Sequence, residues 1–230
     1  MNLPNAVTAG RIAVTPLIAW LPLAPSSALR LTAFVLFIIA AVTDYVDGQL
    51  ARSRKQETDL GRLLDPLADK LLLVGTFVPM FWLMRPSPHV EESLASRTLL
   101  NVLPFHTPFG EISLTWWVLA IVLGREAFMT VFRQAAARRG VVIAAIGPAK
   151  WKTTFQWIWV GSAYFWFFAA TLAVRRGWGD GGGWGLFANF NGLVGVCAMI
   201  GAVALTLYSL ALYLRSYGRV FTGAPVRGRS

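Results

Sequence analysis

Asp44-Tyr45-Val46-Asp47-Gly48-Gln49-Leu50-Ala51-Arg52 and, eight residues later, Gly61-Arg62-Leu63-Leu64-Asp65-Pro66-Leu67-Ala68-Asp69 decide how this chain is read. The two runs put four aspartates at the ends of two long apolar segments. A carboxylate at hydrocarbon depth costs roughly 2.5–3.5 kcal/mol on insertion scales. A chain that keeps four together has something positive to bind there. On a helix Asp44 and Asp47 are three apart, and Gly61, Asp65 and Asp69 are successively four apart, so each set shares one face. Gly48 and Ala51 continue the first face with small residues that admit a close neighbour.

The surroundings are those of a membrane protein. The 230 residues are 56% hydrophobic and only 14% charged, against about 25% charged in soluble domains. Apolar runs of about 20 residues recur along the length. They predict an all-α integral membrane fold of six transmembrane helices, near 5–25, 28–50, 62–84, 113–137, 150–174 and 187–214, as one domain over 1–230. Asn5 and Thr8 are read as caps at the start of the first helix, and Pro16 and Pro22 as causes of a bend. Ile12 to Ala24 is apolar and followed by small residues, but what precedes Arg11 is not basic and a second span follows at once. The segment is therefore read as a retained span, not a cleaved leader. Trp82, Trp116, Trp117, Trp178 and Trp184 fall near helix ends, where tryptophan anchors at the membrane interface.

A net charge of +10 in a soluble chain would suggest nucleic acid. Here the basic residues flank apolar segments, so anionic headgroups explain them and no nucleic-acid partner is expected. Fourteen Lys and Arg fall on the side of the N-terminus and five on the other. The positive-inside rule then puts both termini and the aspartates at the cytoplasmic face. The lone Cys197 excludes an internal disulfide and reads as packing. The long 86–112 loop carries His89 and His106, read as plain loop residues, and the glycine-rich 177–185 stretch as a flexible turn. The tail from about 218 reads as a mobile membrane-surface segment.

Carboxylate oxygens are hard ligands suited to Mg²⁺ or Mn²⁺. Four of them hold two ions about 3.5–4 Å apart, the arrangement of two-metal phosphoryl chemistry. Arg52, beyond Asp47, suits bidentate contact with a phosphate. The plain alternative, buried ion pairs with Lys70, Arg52 or Arg62, accounts for one or two aspartates but not four. A cation path through the membrane is the distant alternative, but the acidic residues occupy one half of the chain with no counterpart in the other.

A second charged group lies in Gly124-Arg125-Glu126, with Arg133 eight residues on and Lys150 and Lys152 at the head of the fifth span. An intramembrane arginine must face an interior or cavity. The four cations form a candidate pocket for the phosphate of a phosphorylated acceptor. The alternative for Arg125 is an ion pair with Glu126.

The pattern Asp44-x2-Asp47-Gly48-x2-Ala51-Arg52-x8-Gly61-x3-Asp65-x3-Asp69 resembles the full signature of the CDP-alcohol phosphotransferase family. Asn2-Leu3-Pro4-Asn5 with Thr8 and Arg11, Arg125-Glu126, Arg133, and Gly147 with Lys150, Lys152, Thr153, Thr154 and Gln156 extend the likeness to its phosphatidylglycerophosphate synthase branch. That branch has glycine directly before the first lysine, where this chain has Pro148 and Ala149. The resemblance implies six helices, a homodimer, two divalent ions, and transfer of a phosphatidyl group from CDP-diacylglycerol to glycerol 3-phosphate with release of CMP. It implies metal ligation by Asp44, Asp47, Asp65 and Asp69, with Asp69 also the general base. It implies CDP binding by Asp47, Gly48, Ala51, Arg52 and Gly61, in a bacterial inner membrane with the site facing the cytoplasm. Other acceptors in the family leave inositol phosphate, serine and phosphatidylglycerol open.

Overall fold

The computed structural model describes residues 3–54, 59–86, 93–141, 143, 147–178 and 182–217, with side chains described for all of these except 3, 4, 45–54, 59–63 and 148–150. The chain forms α1 (Leu3–Trp20), a 3₁₀ turn (Leu21–Leu23), α2 (Ser27–Arg54), α3 (Asp59–Leu83), α4 (Leu94–Leu99), strands β1 (Phe105–Thr107) and β2 (Gly110–Ile112), α5 (Trp116–Ala137), α6 (Gly147–Arg176) and α7 (Gly182–Tyr217). Five segments are long and apolar enough to cross a membrane: Asn5–Leu23, Ser27–Asp44, Leu64–Leu83, Trp151–Arg176 and Gly182–Tyr217. The chain is thus a mostly helical, multi-pass membrane protein. The other expected span, α5, has 22 residues, about 33 Å of helix. It carries Arg125, Glu126 and Arg133, and is not among the segments apolar enough on composition.

The described residues gather into two compact units. The first holds α1 to α3, the 94–112 segment, α6 from Trp157 and α7 to Val196; the second holds α5, the start of α6 and α7 from Cys197. In the first unit α1 packs mainly on α3 and also on α2. Closeness to α3 is set at Gly75, where a Cβ would lie 2.7 Å from Thr15 Cγ2. Tyr164 on α6 is fully buried, and its hydroxyl donates to the Ile18 carbonyl at 3.2 Å. Phe77 meets Trp159 edge-on at 4.9 Å between ring centres.

The 86–112 stretch, whose structure the sequence left open, folds where it is described. Ser93 caps α4, and β1 and β2 pair antiparallel with Phe105 opposite Ile112, so the fold is not purely helical. The turn between them needs Gly110, whose φ is 111°. His106 is exposed on β1 opposite Glu111, and His89 lies outside the described residues. Phe105 and Thr107 point inward and are buried. They lie against α7, where a Cβ on Gly192 would sit 1.8 Å from the His106 carbonyl oxygen and one on Gly195 would sit 2.2 Å from the Phe105 ring. Arg97 pairs with Glu111 across the same segment.

Arg30, one of the five basic residues counted on the side away from the N-terminus, is fully buried. Its Nε donates to the Pro22 carbonyl at 3.0 Å and its other nitrogens to Thr171 and Asn101 Oδ1. Asn101, held at φ 54°, returns a hydrogen bond from Nδ2 to the Leu23 carbonyl at 2.7 Å. The glycine-rich turn is shorter than expected, since α7 already begins at Gly182. Cys197, expected to be packed, is exposed on α7. Trp82, Trp116, Trp117 and Trp178 are exposed, as interfacial anchors require. A cavity of about 540 Å³ lined by Phe165, Phe168, Trp178, Trp184 and Phe187 among others lies near the end of α6. Arg175 at that end bonds Ser27, the first residue of α2, some 26 Å of helix from Asp44, so this cavity is separate from the carboxylates.

Gly192→Ala drives a methyl into a main-chain carbonyl that cannot rotate away. It is expected to destabilise the detergent-solubilised protein by about 1–3 kcal/mol in a thermal melt. Gly185→Ala in the same helix, with nothing within 4 Å of the added carbon, serves as the near-neutral control.

Candidate functional site

The site begins on α1 with residues given no chemical role in the sequence reading. Asn5, Thr8, Arg11 and Thr15 are all buried. Their spacings of three, three and four lay them along one helix face. Because α1 already starts at Leu3, Asn5 and Thr8 lie inside the helix and are not its caps. Thr8 Oγ1 donates to Asp65 Oδ1 at 2.7 Å. Arg11 Nη1 pairs with Asp44 Oδ1 and reaches Asp69 Oδ1 at 3.1 Å. Thr15 Oγ1 donates back to the Arg11 carbonyl at 2.8 Å, the i−4 bond by which a helical threonine satisfies its hydroxyl. A polar stripe at helical spacing in an apolar span was the signal available for Arg11 and Thr8.

Three of the four aspartates are thereby brought together, Asp44 from α2 and Asp65 and Asp69 one turn apart on α3. Asp69 lies within electrostatic reach of both others. Access is one-sided. The Arg11 side chain is 3% exposed, Asp44 32% and Asp69 60%, so the guanidinium closes the inner side and the carboxylates face outward. The helical backbone of α2 and α3 continues through the remaining signature positions. The side chains of Asp47, Arg52 and Ala51, and the surroundings of Gly48 and Gly61, lie outside the described residues.

The donor set fits a divalent cation of the hard type. It consists of carboxylate oxygens on adjacent helices, and the Arg11 guanidinium already sits against two of them. As they stand, no three His, Cys, Asp or Glu side chains among the described residues form a closed metal site. Asp44 and Asp69 are instead bridged by Arg11.

The second unit holds the basic group. Arg125 is buried on α5; Nη1 reaches Glu126 Oε1 at 2.8 Å and Nη2 reaches Ser209 Oγ at 3.1 Å. Lys152, also buried, pairs with the same Glu126 oxygen. The ion pair offered as the alternative for Arg125 is therefore present, and one carboxylate serves two cations. Arg133 is exposed, donates from Nη2 to the Tyr213 hydroxyl at 3.2 Å, and lies 5.6 Å from the centre of that ring. The Lys150 side chain lies outside the described residues. Arg125 Nε and Gln156 Nε2 are buried donors with no hydrogen-bond partner, which is costly unless something polar meets them.

The family model described as CDP-alcohol phosphatidyltransferase matches residues 1–208. The chain is 32% identical to the CDP-diacylglycerol–glycerol-3-phosphate 3-phosphatidyltransferase of Bacillus subtilis, over 70% of this chain and 75% of that protein. It is 28% identical to the chloroplastic/mitochondrial CDP-diacylglycerol–glycerol-3-phosphate 3-phosphatidyltransferase 1 of Arabidopsis thaliana, over 96% of this chain. That match spans only 64% of the plant protein's length. It is also 28% identical to a CMP-forming cardiolipin synthase of Streptomyces coelicolor, over 80% of this chain and 76% of the other.

Glu126→Gln leaves Arg125 and Lys152 without their shared counter-charge. The expected cost is about 3–5 kcal/mol, read as a lowered melting temperature. Adding Lys152→Met recovers part of the loss. An unchanged melt in the single variant would contradict the pairing.

Proposed function

The chain belongs to the CDP-alcohol phosphatidyltransferase family, and from that premise we propose that it is a membrane phosphatidyltransferase joining CDP-diacylglycerol to glycerol 3-phosphate. The observation that carries the reading is the gathering of Asp44 on α2 and Asp65 and Asp69 on α3 by Thr8 and Arg11 of α1. In the sequence Asp44 lies towards the end of the second apolar run and Asp65 and Asp69 towards the start of the third. A lipid-borne diphosphate and a water-borne acceptor meet most readily at such a boundary. Relatives carrying this activity in their names support the choice of substrates.

In this reading Asp69, the more exposed of the two carboxylates paired with Arg11, accepts the proton of the primary hydroxyl of glycerol 3-phosphate. The freed oxygen forms a bond to the lipid-side phosphorus. The bond from that phosphorus to the oxygen of CMP breaks, CMP leaves with the electron pair, and phosphatidylglycerol phosphate is the product. Asp44, Asp47, Asp65 and Asp69 would hold two Mg²⁺ or Mn²⁺ ions, which would neutralise charge on the diphosphate. Gly48, Ala51 and Gly61 make room for the cytidine and Arg52 meets the diphosphate. Arg125, Arg133, Lys150 and Lys152 take the acceptor's phosphate. The orphaned donors of Arg125 and Gln156 support that assignment, since each is a buried N–H suited to an oxyanion. α5 is the sixth span, tolerated because Arg125 and Glu126 at its middle are paired, and residues 1–230 form one catalytic domain. Both termini and the site face the cytoplasm of a bacterial inner membrane, following the Lys and Arg bias, and the protein is a homodimer.

A second reading keeps the chemistry and changes the acceptor to phosphatidylglycerol; similarity to a cardiolipin synthase favours it over serine or inositol phosphate. Purified protein given labelled CDP-diacylglycerol and each acceptor in turn separates them. Glycerol 3-phosphate is expected to give CMP release dependent on added dication. Asp65→Asn and Asp69→Asn are each expected to lower turnover by roughly 10²–10⁴ with the helical circular dichroism intact. Near-normal turnover in either variant would sink the mechanism.

A further inference from the structure

Arg11 is used in an unusual way. A guanidinium is a planar fork of five donors, best matched to one oxyanion through two parallel bonds. Here one nitrogen, Nη1, serves two carboxylates on different helices. Nε, buried with the rest of the side chain, has no partner. The Oδ1 atoms it holds belong to Asp44 and Asp69, whose side chains stay 32% and 60% exposed. A dication drawn to those oxygens and the guanidinium compete for the same lone pairs. At contact distance the two positive charges also repel.

We propose that Arg11 is a displaceable counter-cation. It holds Asp44 and Asp69 together while no dication is bound and leaves their oxygens when one binds. Without a positive group, two carboxylates brought together by packing repel and splay their helices. With Arg11 in place they stay together in the empty site, and an arriving ion must displace the guanidinium to take their oxygens. The inference rests on the carboxylates being the dication site, and it assigns Arg11 a positioning role toward that site.

The test compares wild type, Arg11→Gln and Arg11→Lys as purified full chains in detergent, melted in EDTA and in saturating Mn²⁺. Mn²⁺ affinity is read from the electron paramagnetic resonance signal of the free ion. In EDTA Arg11→Gln is expected to melt about 5 °C below wild type. In Mn²⁺ the deficit closes, because the ion supplies the missing charge. Affinity for Mn²⁺ rises roughly threefold to tenfold, because a competitor is gone. Arg11→Lys, which keeps the charge but not the fork, falls between the two and carries the same comparison if the glutamine variant does not fold. A deficit of equal size in EDTA and Mn²⁺, with unchanged affinity, would show Arg11 to be a permanent strut and overturn the proposal. A wild type that neither binds Mn²⁺ nor melts higher with it overturns the dication reading as well, and that failure is visible without any variant.

Discussion

The contact of the Arg11 guanidinium with Asp44 and Asp69 is the constraint around which the first unit is organised. A charged group inside an apolar span must find its opposite locally, since lipid offers none. The pair ties α1 to α2 and α3 at one end, and Thr8 adds a second tie to α3 through Asp65. Small residues make it reachable: without the bare Cα of Gly75, Thr15 and the α1 backbone stand further from α3. Buried ion pairs contribute less net stability than their contacts suggest, because both partners are desolvated. What this one contributes is register, since only one rotation of each helix brings these side chains together.

The same rule governs the other buried cations, with different solutions. Arg30 donates to neutral oxygens: a carbonyl, a hydroxyl and the amide of Asn101. It thereby joins the start of α2, the end of α6 and the residues before the hairpin, all within the first unit. Arg125 and Lys152 share one carboxylate in the second unit. Counting Lys and Arg for orientation treats every one as a surface charge, and the structure buries Arg11 and Lys152 from one side of that count and Arg30 and Arg97 from the other. The sign of the bias is unaffected.

Function follows from the mismatch between what is charged and what is satisfied. In the carboxylate cluster one guanidinium nitrogen answers two anions that stay open to approach. In the basic group one anion answers two cations while buried donors remain unmet. By charge alone, the first arrangement favours the approach of a cation and the second that of an anion.

Much was legible from order and spacing alone. Apolar runs located the long helices because crossing hydrocarbon demands continuous apolar length, and aspartates at intervals of three and four announced shared helix faces before any coordinates. Composition also marked the membrane. The sequence alone did not disclose the partners. Asn5 and Thr8 looked like caps and Arg11 like a flanking charge, because their meaning depends on which helix lies opposite, more than fifty residues away for Thr8 and Asp65. Nor did it disclose the burial of Arg30 by Thr171, or the hairpin seated on Gly192 and Gly195. Local periodicity reports which face a residue occupies, whereas burial and pairing are decided by what the rest of the chain brings to that face.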